Sequence, residues 1–199
     1  AAAAVLGASV ALVGGAAPAG AIYDSGDPIT DPTEALEAAF ASRQAIPVLG
    51  EEITSLKELC PAPTFPCDLG VLSRKATARL SGPLKQSLLT LVEELGADFG
   101  VVEEIGQSIE LAEGVLYQNN ARVSVDFKTP VQFLDLAASS LDELFEGLPE
   151  DALAAAAASY DACDMTIPPE APGALNCRIR RAVEVDAARD TPQSVASAQ

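Results

Sequence analysis

The side chains able to do chemistry in this chain fall into three groups: four cysteines, several neighbouring carboxylates and two islands of basic residues. Histidine is missing altogether. That excludes Ser-His-Asp and Cys-His nucleophilic catalysis, and any zinc site built on imidazole. The cysteines are Cys60, Cys67, Cys163 and Cys177, and four cysteines allow three pairings. An all-thiolate zinc site usually carries tight C-x-x-C knuckles. No such spacing occurs here, so disulfides are expected and a metal is not. Among the carboxylates, Glu93 with Glu94, Glu103 with Glu104, and Glu110 with Glu113 are spaced for acid–base work or for calcium. No EF-hand loop accompanies them, and charge runs of this kind are ordinarily solvated faces. Neither a glycine-rich dinucleotide fingerprint nor a phosphate-binding loop occurs. The expectation is a protein that is not an enzyme and needs no cofactor.

The basic islands are Arg74, Lys75, Arg79 and Lys85, then Arg178, Arg180 and Arg181. They stand on an acidic background of 29 acidic against 12 basic residues, a net charge of -17. Such a field repels nucleic acid and anionic membrane. A local positive patch within it steers toward acidic loops of a protein partner; the plainer alternative is that these cations balance neighbouring carboxylates. Arg178 follows Cys177 directly, so a disulfide there fixes where it points.

The elements that must carry these groups read as helices. Hydrophobic residues make up 49% of the chain and aromatics 5%, so the core is built from Leu, Val, Ile and Ala. Tyr23 to Thr30 is a polar linker. Asp31-Pro32-Thr33-Glu34 then gives a capped helix start. Leu36, Phe40, Leu49, Ile53, Leu56 and Leu59 supply its apolar side, with a kink or interruption expected at Pro47. The loop CPAPTFPC separates Cys60 from Cys67. Leu69, Leu72, Ala76 and Leu80 suggest a short helix capped by Asp68 and broken at Gly82-Pro83. Leu84, Leu88, Leu91, Val92 and Leu95 mark a helix ending at Gly96. The next helix runs from Asp98 to about Asn120, with the stripe Phe99, Val102, Ile105, Ile109, Ala112 and Leu116. A short extended connector is expected over Arg122 to Lys128. Thr129-Pro130 repeats the capping pattern, and the following helix is bent near Gly147 and restarted by Pro149.

This pattern predicts an all-α protein: an antiparallel up-down four-helix bundle over residues 31–163 with an irregular, partly disordered C-terminal extension over 164–199. In that topology the first helix ends near Cys60 at one end of the bundle and the fourth near Cys163 at the other. Local pairs Cys60–Cys67 and Cys163–Cys177 are therefore favoured over cross pairs, although sequence alone does not fix connectivity.

Residues 1–22 carry no charge and contain Ala17-Pro18-Ala19 and Ala19-Gly20-Ala21, either of which fits a processing site. A hydrophobic stretch of this kind is expected to be the second half of an import signal to the thylakoid lumen; the alternative is a retained membrane span, for which it is about long enough. Combined with an acidic helical bundle and a cysteine-bearing extension, this resembles the PsbQ-type extrinsic subunits of photosystem II. It is most similar to the four-helix lumenal subunit of diatoms and other algae with red-lineage plastids. The resemblance rests on the signal end Ala17 to Tyr23, the helix starts Asp31-Pro32 and Thr129-Pro130, and the loop cysteines Cys60 and Cys67. At the level of architecture it covers roughly Asp31 to Cys163. It implies a plastid lumenal protein, peripheral to the thylakoid membrane, that binds the photosystem II core and other extrinsic subunits. Members of that family shield the manganese–calcium cluster and help retain calcium and chloride, acting by binding and without ligating the cluster. Two other classes remain open at this point. One is a membrane-anchored linker subunit of an algal photosystem or antenna. The other is a secreted helical enzyme inhibitor of the invertase-inhibitor type, although a complete helix precedes Cys60 here.

Overall fold

The computed structural model describes residues 27–60, 70–120, 126–168, 170 and 173–189, and every regular element among them is helical. We label the α-helices α1 (Pro32–Leu59), α2 (Gly70–Ala76), α3 (Gly82–Leu95), α4 (Phe99–Asn120), α5 (Lys128–Glu146), α6 (Glu150–Asp161) and α7 (Leu175–Arg189). A π-helical turn, Thr77–Ser81, joins α2 to α3. The hydrophobic stretch 1–22, the first part of the 23–30 linker, and Cys67 lie outside the described residues. Among the described residues no helix is long and apolar enough to cross a membrane.

The helix starts follow from capping. Asp31 accepts from the backbone N–H groups of Thr33 at 2.8 Å and Glu34 at 3.0 Å, ahead of Pro32 in the first turn of α1. Asp98 does the same for Gly100 and Val101 in α4. In α5 the capping side chain is Asp126, which accepts from Lys128 and Thr129, so Thr129 is inside the helix and does not begin it. Asn119 clamps that connection from α4, donating to the Asp126 carbonyl and accepting from its N–H. Gly96 ends α3 at φ 71°, a left-handed value that any Cβ makes costly.

α1 is the hub. It touches α3, α5, α6 and α7. Its alanines explain how: Ala35, Ala38, Ala39, Ala41 and Ala45 are all 0% exposed, and with no bulk beyond Cβ they let neighbours close in on several sides. Leu36, Ile46, Leu49 and Ile53 fill the gaps. The helix runs on through Pro47 without the expected interruption. Pro47 costs it one backbone bond, but the buried Ile46 and Leu49 on either side hold that turn against the core.

Cross-links show how the helices run. The Arg43 guanidinium grips Asp142 with two bonds of 2.8 Å, while Pro47 to Ser55 lie beside Val131 to Asp135; α1 and α5 thus run in opposite directions. α1 and the stretch from α2 through α3 do likewise. The Ile29 N–H donates to the Gln86 carbonyl and its carbonyl accepts from Thr90 at one end, while Glu52 meets Lys75 at the other. Asn119 to Asp126 and Glu104 to Ser140 give α4 and α5 the same relation. The Ile29 contacts also tie down the end of the segment read as a linker.

Three expectations are corrected here. The irregular C-terminal extension contains a regular helix, α7, with buried Asn176, Ile179, Val183 and Asp186 at helical spacing, packed on α1. The break at Gly82-Pro83 is instead a widened turn. Pro83 has no N–H, and its ring would collide with the carbonyl four residues earlier. The chain answers by slipping register, so that Gly82 N–H bonds to the Thr77 carbonyl. A Cβ on Gly82 would lie 2.9 Å from that oxygen, which is why glycine stands there. Phe99 is also off the predicted stripe, at 61% exposed; it sits in the first turn of α4, beyond the reach of the core.

Candidate interaction groove

The widened turn turns Arg79 inward. There it meets Glu52 of α1 and Asp186 of α7, and the three residues are 6%, 6% and 5% exposed. Lys75 completes the cluster, its Nζ 2.7 Å from Glu52 Oε2 and 3.0 Å from Asp186 Oδ2. Arg79 Nη2 pairs with Asp186, and Nη1 lies 3.6 Å from Glu52 Oε1. Two cations and two carboxylates therefore balance inside the protein and link α1, α2 with its π turn, and α7. Burial pushes the Glu52 carboxyl above its usual range, with the Lys75 hydrogen bond opposing. Burial acts the same way on Asp186, but there the hydrogen bonds from Arg79 and Lys75 outweigh it, and its pKa falls below the usual value.

Above this cluster lies an open groove of about 750 Å³. One wall is formed by Val71, Ala78 and Pro83 and the other by Leu175, Ile179 and Ala182. Arg74, Lys75, Arg79 and Arg178 also line it. The two basic islands, far apart in sequence, thus contribute to one groove between α2, α3 and α7.

The six residues expected to dock do not share one role. Arg178 is exposed on α7, and its guanidinium forms no ion pair with another described residue. Arg74 is exposed on α2 and is already engaged in an interaction. Lys75 is partly covered and spent in the ion cluster. Arg79 is buried, which corrects its assignment to a docking surface: its charge is used inside. Arg181 is corrected because it too is buried, at 3% exposed, with Nη2 turned toward Gly173. Arg180 is partly buried, donates to the Tyr160 carbonyl, lies 3.8 Å from Asp161 and sits 5.0 Å over the Tyr160 ring. It fastens α7 to α6. Lys85, outside the groove, pairs with Glu110 at 3.5 Å.

The Cys163–Cys177 disulfide is present, with Cα atoms 5.3 Å apart. It ties the end of α6 to the first turn of α7, one residue before Arg178. No described cysteine is free; the expected Cys60–Cys67 pair involves Cys67 and so lies outside the described residues. Of the carboxylate pairs, Glu93, Glu94, Glu103, Glu104 and Glu110 are exposed. Glu113 accepts from Ser81 at 2.6 Å and Thr77 at 2.9 Å, which anchors the π turn to α4. Among the described residues no group of three His, Cys, Asp or Glu side chains is placed to hold a metal ion.

No family model, curated protein or solved structure matches this chain. The groove must therefore be read from its own residues. Sequence reasoning found its cations but missed Glu52 and Asp186, which neutralise two of them. A signal existed: Glu52 stands one turn from Leu49 and next to Ile53 on the apolar side of α1, and Asp186 falls on the same face as Ile179 and Val183. A carboxylate on an apolar stripe needs a buried cation, and Lys75 and Arg79 were the supply.

Proposed function

We propose that this chain is a non-catalytic extrinsic subunit on the lumenal side of photosystem II, stabilising the oxygen-evolving centre by protein–protein binding. The observation that carries this reading is that Arg74, Lys75 and Arg79 of one basic island and Arg178 of the other line one groove of an otherwise acidic helical protein. A groove with apolar walls and an exposed arginine on its edge suits recognition. The placement on photosystem II rests on the resemblance of the signal-like residues 17–23, the helix starts and the loop cysteines to PsbQ-type subunits.

The test is a wash. Exposed ionic contacts are screened within about 10 Å at roughly 0.1 M salt, so strong salt should release the chain from oxygen-evolving thylakoid complexes. Sequencing the released chain should place its N-terminus near Gly20 or Ile22. Retention through salt and release only by detergent would transfer the assignment to a membrane-anchored linker subunit. Failure to co-purify with these complexes at all would remove the photosystem reading.

A further inference from the structure

We infer that the groove between α2, α3 and α7 receives an acidic amphipathic peptide segment of a partner protein. This rests on the docking reading above and specifies its partner chemistry. The occupant's apolar side chains lie between Val71 and Ala78 on one side and Ile179 and Ala182 on the other, and its carboxylates meet Arg178 at the edge.

Charge complementarity decides the occupant. The chain as a whole carries a net charge of -17, yet four of its 12 basic residues line this single groove. Lys75 and Arg79 are balanced by Glu52 and Asp186, so the floor is neutral as a unit. Arg178 brings positive charge to the edge without a carboxylate among the described residues to meet it, and a partner carboxylate supplies the missing charge. A small inorganic anion would satisfy Arg178 but leave the apolar walls wet. An amphipathic peptide uses both. The volume, about 750 Å³, falls within the roughly 300–1,000 Å³ of ligand-binding clefts. A nucleic acid is repelled by the overall field before it reaches the groove, and so is a second copy bearing the same charge.

The position of Arg178 is fixed by covalent structure. Cys177 is disulfide-bonded to Cys163, and Arg180 holds the next turn of α7 to Tyr160. The edge of the groove is thus ordered before a partner arrives, which lowers the cost of binding.

The experiment uses the full chain and a fluorescently labelled synthetic peptide of glutamate and leucine at helical spacing. Its controls are the same peptide with lysine for glutamate and one with serine for leucine. Anisotropy should show saturable binding of the glutamate–leucine peptide alone. Arg178→Glu should weaken it by about tenfold or more, the equivalent of roughly 1.4 kcal/mol. Ala78→Trp, at an exposed position on the groove wall, should abolish it by filling the space. Lys128→Glu, an exposed cation on α5, should leave it unchanged. Circular dichroism checks that each variant keeps its helix content, and amide chemical shifts should move at Val71, Ala78 and Ile179. Equal binding of the lysine peptide, no binding of the acidic one, or indifference to both groove variants would overturn the assignment. Occupation by a second copy, seen as dimerisation lost in Ala78→Trp, would overturn it as well. The two readings separate cleanly. If both variants rebind salt-washed complexes like the unaltered chain, the groove is wrong and the docking reading stands. If the peptide binds as expected but the chain never associates with those complexes, the docking site named is wrong and the groove stands.

Discussion

Replacing Arg79 by methionine tests whether the ion cluster holds α7 on the hub. The substitution keeps most of the aliphatic stem and removes the charge. Arg79, Glu52 and Asp186 are each 6% exposed or less, so solvent does little to repair the loss. Removing one partner from a buried pair costs about 3–5 kcal/mol, because the remaining charge is left uncompensated. Lys75 still touches both carboxylates, at 2.7 and 3.0 Å, which holds the expected loss to the lower end, about 3 kcal/mol. For a chain of this size that corresponds to a fall in Tm of about 6–12 °C. Urea titration of the full chain should show the midpoint falling. Hydrogen exchange should show α7 amides losing protection ahead of those in α4 and α5, since the cluster is where α7 meets α1 and α2. Combining Arg79→Met with Asp186→Asn should cost less than the two single losses together, as expected for residues sharing one interaction. A loss below about 1 kcal/mol, or strictly additive effects, would refute the reasoning and show that the cluster does not hold α7 on the hub.

Ser42 lies 0% exposed on α1, and its hydroxyl has no hydrogen-bond partner among the described residues. Ser42→Ala should therefore stabilise the protein by about 1 kcal/mol, read as a higher urea midpoint; a lower midpoint would mean the hydroxyl is satisfied. For Asp126, the hydrogen bonds from the Thr129 side chain and backbone hold its carboxyl below the usual value. Its contribution is present above the unfolded aspartate pKa, about 3.9, and is lost as pH falls through the folded value. Asp126→Asn should melt lower than the unaltered chain at neutral pH, and the difference should vanish on acidification; a constant gap would assign the effect to geometry alone. Asp186 should add to acid lability in the same direction, whereas Glu52, with its pKa raised, contributes stability that is lost as pH rises through its folded value.

Much of the fold was legible because the cues were local. Asp31, Asp98 and Gly96 act at helix ends through bonds spanning two to a few residues, and short-range chemistry is what a sequence displays. The pairing of Cys163 with Cys177 followed from where two helices had to end. α7 was hidden for a different reason. Pro168, Pro169, Pro172 and Gly173 announce a loop, and the stripe behind them includes Asn176 and Asp186, which look solvated until their partners are known. Leu175, Ile179 and Val183 did carry the period. The π turn was illegible in detail, since a proline after glycine states only that the ordinary ladder fails, not how the chain absorbs it. The groove was half legible: its cations were visible as islands, but which of them remained at the surface depended on carboxylates supplied by α1 and α7.

The arrangement around α1 has a consequence for how the protein is made. The hub is the first helix among those described to leave the ribosome, and one of its neighbours, α7, is the last. Leu36, Leu49 and Ile53 thus emerge early and wait through the synthesis of more than a hundred residues before their surroundings are complete. Contacts so distant along the chain slow the search for the native state, and exposed apolar surface during that interval invites association with other chains. The alanines soften that exposure, since a helix rich in them presents little greasy area while unaccompanied. The same residues that let neighbours approach in the finished protein make the nascent one safer to leave alone.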